Sequence, residues 1–460
     1  MADTIAALST APMKSGVAVI RISGKKALEI AGLVFRPLEK GGLKPRKMTY
    51  GLLVNLEGHV LDNILAVWFK APHSYTGEDI VEFHCHGSLA VINAALSALY
   101  SSGARPAAAG EFTKRAFVNG KMDLSQAEAV GDLIESETEE AAINAAAQVG
   151  GALSRELGAI YDRLLDVLAH FQAIVDYPDE DIEDFEISAA AQTLEESASR
   201  LERLADGYKR GKVLREGLDC AIIGKPNVGK SSLMNALVGY DRAIVAPIAG
   251  TTRDIVEAYA KIGGVTLRLH DTAGIRQTDD YVENIGVEKA LETAKSSSLI
   301  FAVVDGSQPL AEDDIRVLET AAGKRSILLV NKIDIAGKAS GGLLSDGPLR
   351  EWSGKFAFAL EVSAKTGRGF EKLEDAVLKL FAAGDLKPDG TLITNARQEG
   401  ACRTAAEMLR NAVSALSGGY TPDMVLYDVE QGLERIGGIL GKNTPEDVID
   451  RIFANFCVGK

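Results

Sequence analysis

The sequence predicts a multi-domain chain: an α+β domain at the N-terminus, a discontinuous α-helical domain, and an α/β domain inserted into the helical one. Three observations carry this prediction. Residues 17–84 hold short apolar runs broken by Gly, Pro and Asn, the signature of strands joined by tight turns. Residues 218–238 pass from an apolar run through a glycine-rich turn into helical spacing. Helical periodicity lies on both sides of that segment, and a domain is tolerated as an insertion where its two ends lie close together. At 460 residues the chain is too long for a single core.

In chain order, strands are expected at Val17–Ile22, Thr49–Val54, Ile64–Phe69 and Asp79–His84, with helices at Ala27–Val34 and Leu89–Tyr100. His84 and His86 point to one face of a strand, but no third ligand accompanies them at a useful spacing. A structural or ligand-lining role is therefore expected before a metal site. From Ser125 to Gly211 the pattern is helical, with apolar residues at i, i+3 and i+4 in Leu153–Val175 and Ala190–Leu204. Between these two stretches Asp176–Glu186 holds seven acidic residues in eleven and is expected to be a solvated loop. Helical spacing resumes at Asn395–Leu416, Leu426–Leu440 and Pro445–Phe456. The domains predicted are 1–119, then 120–212 with 385–460, and an inserted 213–384.

Composition excludes several classes. No apolar run approaches ~18 residues, so no membrane span is expected, and the first fifteen residues lack the basic-then-apolar order of a signal peptide. Cys85, Cys220, Cys402 and Cys457 form no C-x-x-C pair, which suits reduced thiols in a cytoplasm. A net charge of −14 argues against a general nucleic-acid binder. Residues 1–118 nevertheless hold 13 Lys+Arg against 9 Asp+Glu, a balance of +4 that leaves −18 for the rest. A polyanion is therefore expected to meet the N-terminal part or local patches elsewhere.

The chemistry concentrates around Leu218–Ser232. Gly224, Gly229, Lys230 and Ser231 fit G-x-x-x-x-G-K-[ST] between a strand and a helix. Asn227, Val228, Gly229, Lys230, Ser231 and Ser232 would wrap backbone N–H groups round phosphates, with Lys230 reaching the β/γ-phosphates and Ser231 ligating Mg²⁺. Downstream, Asp271, Thr272, Ala273 and Gly274 supply a carboxylate for the magnesium's outer shell and an N–H for the γ-phosphate. Asn331, Lys332 and Asp334 follow a third apolar run, and one carboxylate there can take both hydrogen bonds offered by the guanine N1–H and N2 amine. Ser363, Ala364 and Lys365 complete the base pocket. Together these boxes predict a GTPase domain.

Ile275 stands where Ras-like proteins carry the glutamine that orients the attacking water, so another group must place it. The segment Ala246, Pro247, Ile248, Ala249, Gly250, Thr251 and Thr252 occupies the first-switch position, with Thr252 the natural second Mg²⁺ ligand. Asn227 inside the phosphate loop can help hold a potassium ion, putting positive charge where an arginine finger would otherwise act.

Taken together, VIRISG, SYTGEDIVEFHCHG, RPAAAGEFTKRAFVNGKMDLSQAEAV, GKPNVGKSS, AGTTRD, DTAGIR, NKID and IFANFCVGK resemble the MnmE (TrmE) family of bacterial tRNA-modification GTPases over essentially the whole chain. The resemblance implies an N-terminal domain similar to folate-binding one-carbon enzymes, a discontinuous helical domain and an inserted Ras-like P-loop GTPase domain. It implies homodimers formed through the N-terminal domains, and an FAD-dependent partner, MnmG. The pair would modify C5 of the wobble uridine of certain tRNAs to carboxymethylaminomethyl or aminomethyl uridine. By the same resemblance Arg21, Glu82, Lys121 and Lys460 match positions that contact 5-formyl-tetrahydrofolate. Asn227, Thr251 and the carbonyls of Ala246 and Ile248 match a potassium site, and Ser231 with Thr252 a magnesium site. Glu283 matches a glutamate that positions the hydrolytic water, and Cys457 a terminal cysteine placed with Glu283 and Thr251 among the catalytic candidates. The ending CVGK differs from the frequent CIGK by one methylene. Two rival readings remain: a GTP switch for ribosome assembly, and a one-carbon transfer enzyme regulated by GTP.

Overall fold

In a computed structural model the described residues are 3–136, 138–176, 184–240, 257–262, 265–270, 294, 297–336, 344, 347–381, 389–419 and 422–459. Thirteen strands occur among them. Seven belong to the N-terminal sheet: β1 (Ile5–Leu8), β2 (Ser15–Ser23), β3 (Phe35–Pro37), β4 (Thr49–Val54), β5 (Val60–Phe69), β6 (Ile80–Gly87) and β7 (Arg105–Pro106), in the order β3-β4-β5-β6-β2-β1-β7. All pairings are antiparallel except β1 with β7. Alternation decides which face is buried. Ile20, Ile22, Ile64, Ala66, Val81, Phe83 and Cys85 turn one way, onto helices Ala27–Val34 and Leu89–Ser101, whose Ile30, Val34, Ile92, Ala95 and Leu99 close the core. Arg21 and Glu82, opposite each other in register, turn to the other face.

The second sheet holds β8 (Leu218–Ile223), β9 (Glu257–Ile262), β10 (Val265–His270), β11 (Leu299–Asp305), β12 (Ser326–Asn331) and β13 (Phe358–Glu361), in the order β13-β12-β11-β8-β10-β9. Every pair is parallel except the edge strand β9 on β10. A parallel sheet is covered on both faces, so its strands read as unbroken apolar runs. Along β11, Leu299, Phe301 and Val303 pack with Leu233 and Leu237 of helix Lys230–Tyr240 and Leu373 and Val377 of helix Phe370–Phe381. The intervening Ile300, Ala302 and Val304 pack with Val317 and Leu318 of helix Glu312–Ala321 on the opposite face.

The chain divides into two compact units: 1–131 with 148–201 and 401–460, and 132–147 with 202–400. In the first unit, helix Ala152–Asp176 packs along Pro422–Leu440, and Arg200 pairs with Glu156 at 2.7 Å. The acidic run is only partly the loop expected: Asp176 ends one helix and Asp184–Glu186 begin the next, while 177–183 lie outside the described residues. Segment Cys457–Gly459 is held against the N-terminal domain rather than left loose. Val458 bridges Ala109, Gly110 N–H donates to the Cys457 carbonyl at 3.3 Å, and Ser9 Oγ donates to the Gly459 carbonyl at 3.0 Å. A Cβ on Gly459 would stand 2.0 Å from the Leu8 carbonyl oxygen at a φ of +96°, so only glycine fits that approach. In the second unit the long polar contacts include Asn144 Nδ2 to the Leu392 carbonyl, and the main-chain N–H of Gly390 to Asn144 Oδ1. No helix among the described residues is long and apolar enough to cross a membrane.

Candidate functional site

The phosphate loop joins β8 to helix Lys230–Tyr240, and its glycines answer to close neighbours. A Cβ on Gly224 would lie 2.6 Å from the Val303 carbonyl oxygen. One on Gly229, at φ +96°, would lie 2.5 Å from Asn331 Nδ2. Asn227 itself sits at φ +63°, in the left-handed region that asparagine tolerates better than most residues. Its side chain is exposed at the lip of the loop. Lys230 Nζ lies over the loop and donates to the carbonyls of Gly224 and Lys225, both at 2.9 Å. Ser231 and Ser232 are on the first turn of the helix, where N–H groups and dipole favour an anion.

The residues expected to read the base are tied to this loop directly. Asn331, buried at the end of β12, donates from Nδ2 to the Val228 carbonyl at 2.9 Å and accepts on Oδ1 from the Ala364 N–H at 3.0 Å. Lys332 Nζ reaches the Asn227 carbonyl at 2.6 Å. Ser363 Oγ donates to Asp334 Oδ1 at 2.8 Å, fixing an exposed carboxylate in one orientation. Residues 227–232, 331, 332, 334, 363 and 364 are therefore one cluster, and Lys365 follows on the same loop. Ala246, Pro247, Ile248, Ala249, Gly250, Thr251, Thr252, Asp271, Thr272, Ala273, Gly274, Glu283 and Lys460 lie outside the described residues.

Sequence reasoning missed two carboxylates that steady the cluster. Asp305, buried at the end of β11, takes Lys332 Nζ at 2.8 Å and the hydroxyl and N–H of Ser307. Burial pushes its carboxyl up, but the bonds from Lys332 and Ser307 outweigh that and hold it below the usual carboxylate range. Asp314, in the first turn of helix Glu312–Ala321, takes Lys225 Nζ of the phosphate loop at 2.6 Å and the Ala311 N–H at 2.9 Å. Neither acid lies in a motif. The only signal in the sequence was an acid closing an apolar run, and an acid in the opening turn of a helix.

On the N-terminal sheet Arg21 Nε meets Glu82 Oε1 at 2.8 Å, with its guanidinium 5.5 Å from the Tyr75 ring centre and 5.6 Å from that of Phe112. Such stacking holds the planar cation in place. Tyr75 carries no signal of this in the sequence. Lys121 Nζ donates to the Pro72 carbonyl at 3.1 Å, so segment 72–75 touches both Lys121 and Arg21. His84 Nε2 lies 3.7 Å from Glu82 Oε2, buried and without a hydrogen-bond partner among the described residues. A polar ligand edge beside Glu82 would satisfy that atom, so these residues fit a ligand with hydrogen-bonding groups. No group of three or more His, Cys, Asp or Glu side chains able to hold a metal ion occurs among the described residues. Cys457 is exposed on the segment held at Ala109 and Gly110, close to the N-terminal domain.

Comparison with known proteins separates the possible owners of such a site. A family profile described as "MnmE helical domain" matches residues 124–457, and one described as "GTP-binding protein TrmE N-terminus" matches residues 4–121. The chain belongs to the MnmE family. The tRNA modification GTPase MnmE of Clostridioides difficile is 40% identical over 462 residues, covering 100% of this chain and 99% of that protein. That of Thermoanaerobacter pseudethanolicus is 40% identical over 463 residues, with the same coverage. That of Roseiflexus sp. is 41% identical over 462 residues, again covering 100% and 99%. A chain of this family, with a phosphate loop joined to Asn331 and Ala364, is a GTP hydrolase.

Proposed function

We propose that this chain is the GTPase half of a tRNA-modifying pair. Acting as a homodimer with the FAD-dependent partner MnmG, it would modify C5 of the wobble uridine (position 34) of certain tRNAs to carboxymethylaminomethyl or aminomethyl uridine in the cytoplasm. The observation that carries the reading is the joining of Asn331, Lys332, Asp334 and Ser363 to the phosphate loop in a chain of the MnmE family. A functional division into 1–119, 120–212 with 385–460, and 213–384 goes with it.

In this reading Lys230 leaves the carbonyls of Gly224 and Lys225 for the β/γ-phosphates, and Asp334, oriented by Ser363, reads guanine. Ser231 and Thr252 hold magnesium, and Asn227, Thr251 and the carbonyls of Ala246 and Ile248 hold potassium. These ions supply positive charge beside the triphosphate. Glu283 orients the attacking water, the task left open by Ile275. Pairing of two GTPase domains across their switch segments would shield the γ-phosphate, and the resulting movement would pass through the helical domain to the modifying centre. Arg21, Glu82, Lys121 and Lys460 hold 5-formyl-tetrahydrofolate or a related folate, which supplies a one-carbon unit. There Arg21 suits an anionic tail and Glu82 a donor edge, with His84 Nε2 beside it.

The test is the wobble-uridine content of tRNA from cells lacking the protein, together with GTP turnover in potassium and in sodium. Loss of the modified uridine and turnover confined to potassium are expected. Unchanged tRNA would remove the modifying role, and equal turnover in the two salts would remove the potassium site.

A further inference from the structure

The positive balance of the N-terminal domain has one address. Outside residues 36–47, residues 1–118 hold 8 Lys+Arg and 8 Asp+Glu, whereas Arg36, Lys40, Lys44, Arg46 and Lys47 face only Glu39 within that segment. Several of the remaining cations are committed: Arg21 to Glu82, Arg105 to Asp3 and Glu111, Arg115 to Asp3, Glu78 and Glu111, and Lys114 to Asp450. In the segment, one loose pair occurs among the described residues, Lys47 with Glu39 at 3.8 Å, both well exposed. All five cations are exposed.

The segment is also built to stay put. It runs from the edge strand β3 into β4, and Pro45 bridges Trp68 while the Arg46 N–H donates to the Trp68 carbonyl at 2.7 Å. Arg46 is a non-glycine residue at φ +59°, a conformation that costs free energy and is kept here by those contacts. Its guanidinium reaches the His73 carbonyl at 3.4 Å, and the neighbouring Pro72 carbonyl accepts from Lys121. The cationic loop therefore continues into segment 70–73, which adds exposed Lys70 and leads to the candidate cofactor residue Lys121.

We propose that residues 36–47 form a docking surface for the sugar-phosphate backbone of the substrate tRNA. This inference rests on the tRNA-modifying reading above and assigns it a surface. Five exposed cations against one acid match a row of phosphates. A protein partner fits less well, because protein interfaces are depleted in lysine and centred on buried aromatic or arginine anchors, whereas this loop is rich in lysine and glycine. Its continuity with Lys121 would bring RNA beside the proposed one-carbon site.

The test compares the full-length protein with Lys40→Ala/Lys44→Ala/Lys47→Ala and with the matching triple arginine variant. Binding of a tRNA transcript bearing a wobble uridine is followed across a salt series. The alanine variant is expected to bind about tenfold or more weakly, with the slope of log affinity against log salt smaller by about 2–3, roughly one for each phosphate no longer neutralised. The arginine variant should bind as the parent does, and GTP turnover without tRNA should be the same in all three. Equal tRNA affinity and slope in parent and alanine variant would overturn the surface and leave the tRNA-modifying role standing. So would loss of MnmG association with tRNA binding intact, which would make the loop a protein interface. Failure of the parent to bind tRNA, with wobble modification normal in cells that carry it, would overturn the surface as well. Normal modification in cells lacking the protein would instead remove the underlying role.

Discussion

At the scale of single residues, the nucleotide site is a set of close approaches that tolerate little. Gly229→Ala would drive a methyl group into Asn331 Nδ2 at a φ that alanine resists, disturbing the phosphate loop and the bond from Asn331 to Val228 at once. A loss of GTP affinity of about tenfold or more, about 1.4 kcal/mol, is expected in titrations with a fluorescent guanine nucleotide. Asp314→Asn removes the charge partner of Lys225. Because Lys225 can turn toward water, about 1–3 kcal/mol of stability should go, less than the full cost of an orphaned buried charge. The KM for GTP should rise more than kcat falls, since the pair holds the loop and touches no reacting atom. For Asp305 the sign follows from its lowered carboxyl: its contribution is complete above the unfolded-state value near 4 and fades as pH falls through its own lower value. Thermal unfolding between pH 6 and 3 should therefore be less acid-sensitive in Asp305→Asn than in the parent. The phosphate-loop residues follow from their motif, whereas Arg21 and Glu82 are singled out only by the family resemblance. Asp305, Asp314 and Tyr75 could not be named from the sequence, because their partners Lys332, Lys225 and Arg21 lie far along the chain and only the folded sheets join them.

At the scale of elements, legibility followed pattern strength. Thr49–Val54, Leu218–Ile223 and Val265–His270 fall where the sequence places them, because each is a clean apolar run between turn residues. β11 is buried throughout, yet no motif follows it to mark it in the sequence. β9 is faint in the sequence for the opposite reason: an edge strand reading EAYAKI has too little apolar character to stand out. β1 and β7, of four and two residues, gain their identity only from the sheet they join. The importance of β11 can be measured. Phe301→Ala should cost about 3–5 kcal/mol, because both faces of the strand are packed and the space cannot collapse. The unfolding transition that GTP shifts upward should fall by about 10 °C, at roughly 2–4 °C per kcal/mol for a unit of this size. A second transition insensitive to GTP should hardly move.

At the scale of the whole molecule, one unit is assembled from three separated stretches, 1–131, 148–201 and 401–460. The seam at Ala109, Gly110 and Cys457–Gly459 belongs to it. Gly459→Val should open that seam, and amide exchange at Gly110 should quicken while GTP turnover stays unchanged. Helical patterning groups 120–212 with 385–460 around an inserted segment, but the packing of individual helices is not written in that pattern. Those packings rest on contacts such as Asn144 with Leu392 that leave no periodic trace. The stitched arrangement also sets a timetable during synthesis. Residues 202–400 must leave the ribosome before residues 401–460 exist to complete the other unit, and at about 5–20 residues per second that is a delay of roughly 10–40 s. Through that interval the early helices carry apolar stripes meant for Pro422–Leu440, which makes the nascent chain a natural client for chaperones until its final sixty residues arrive.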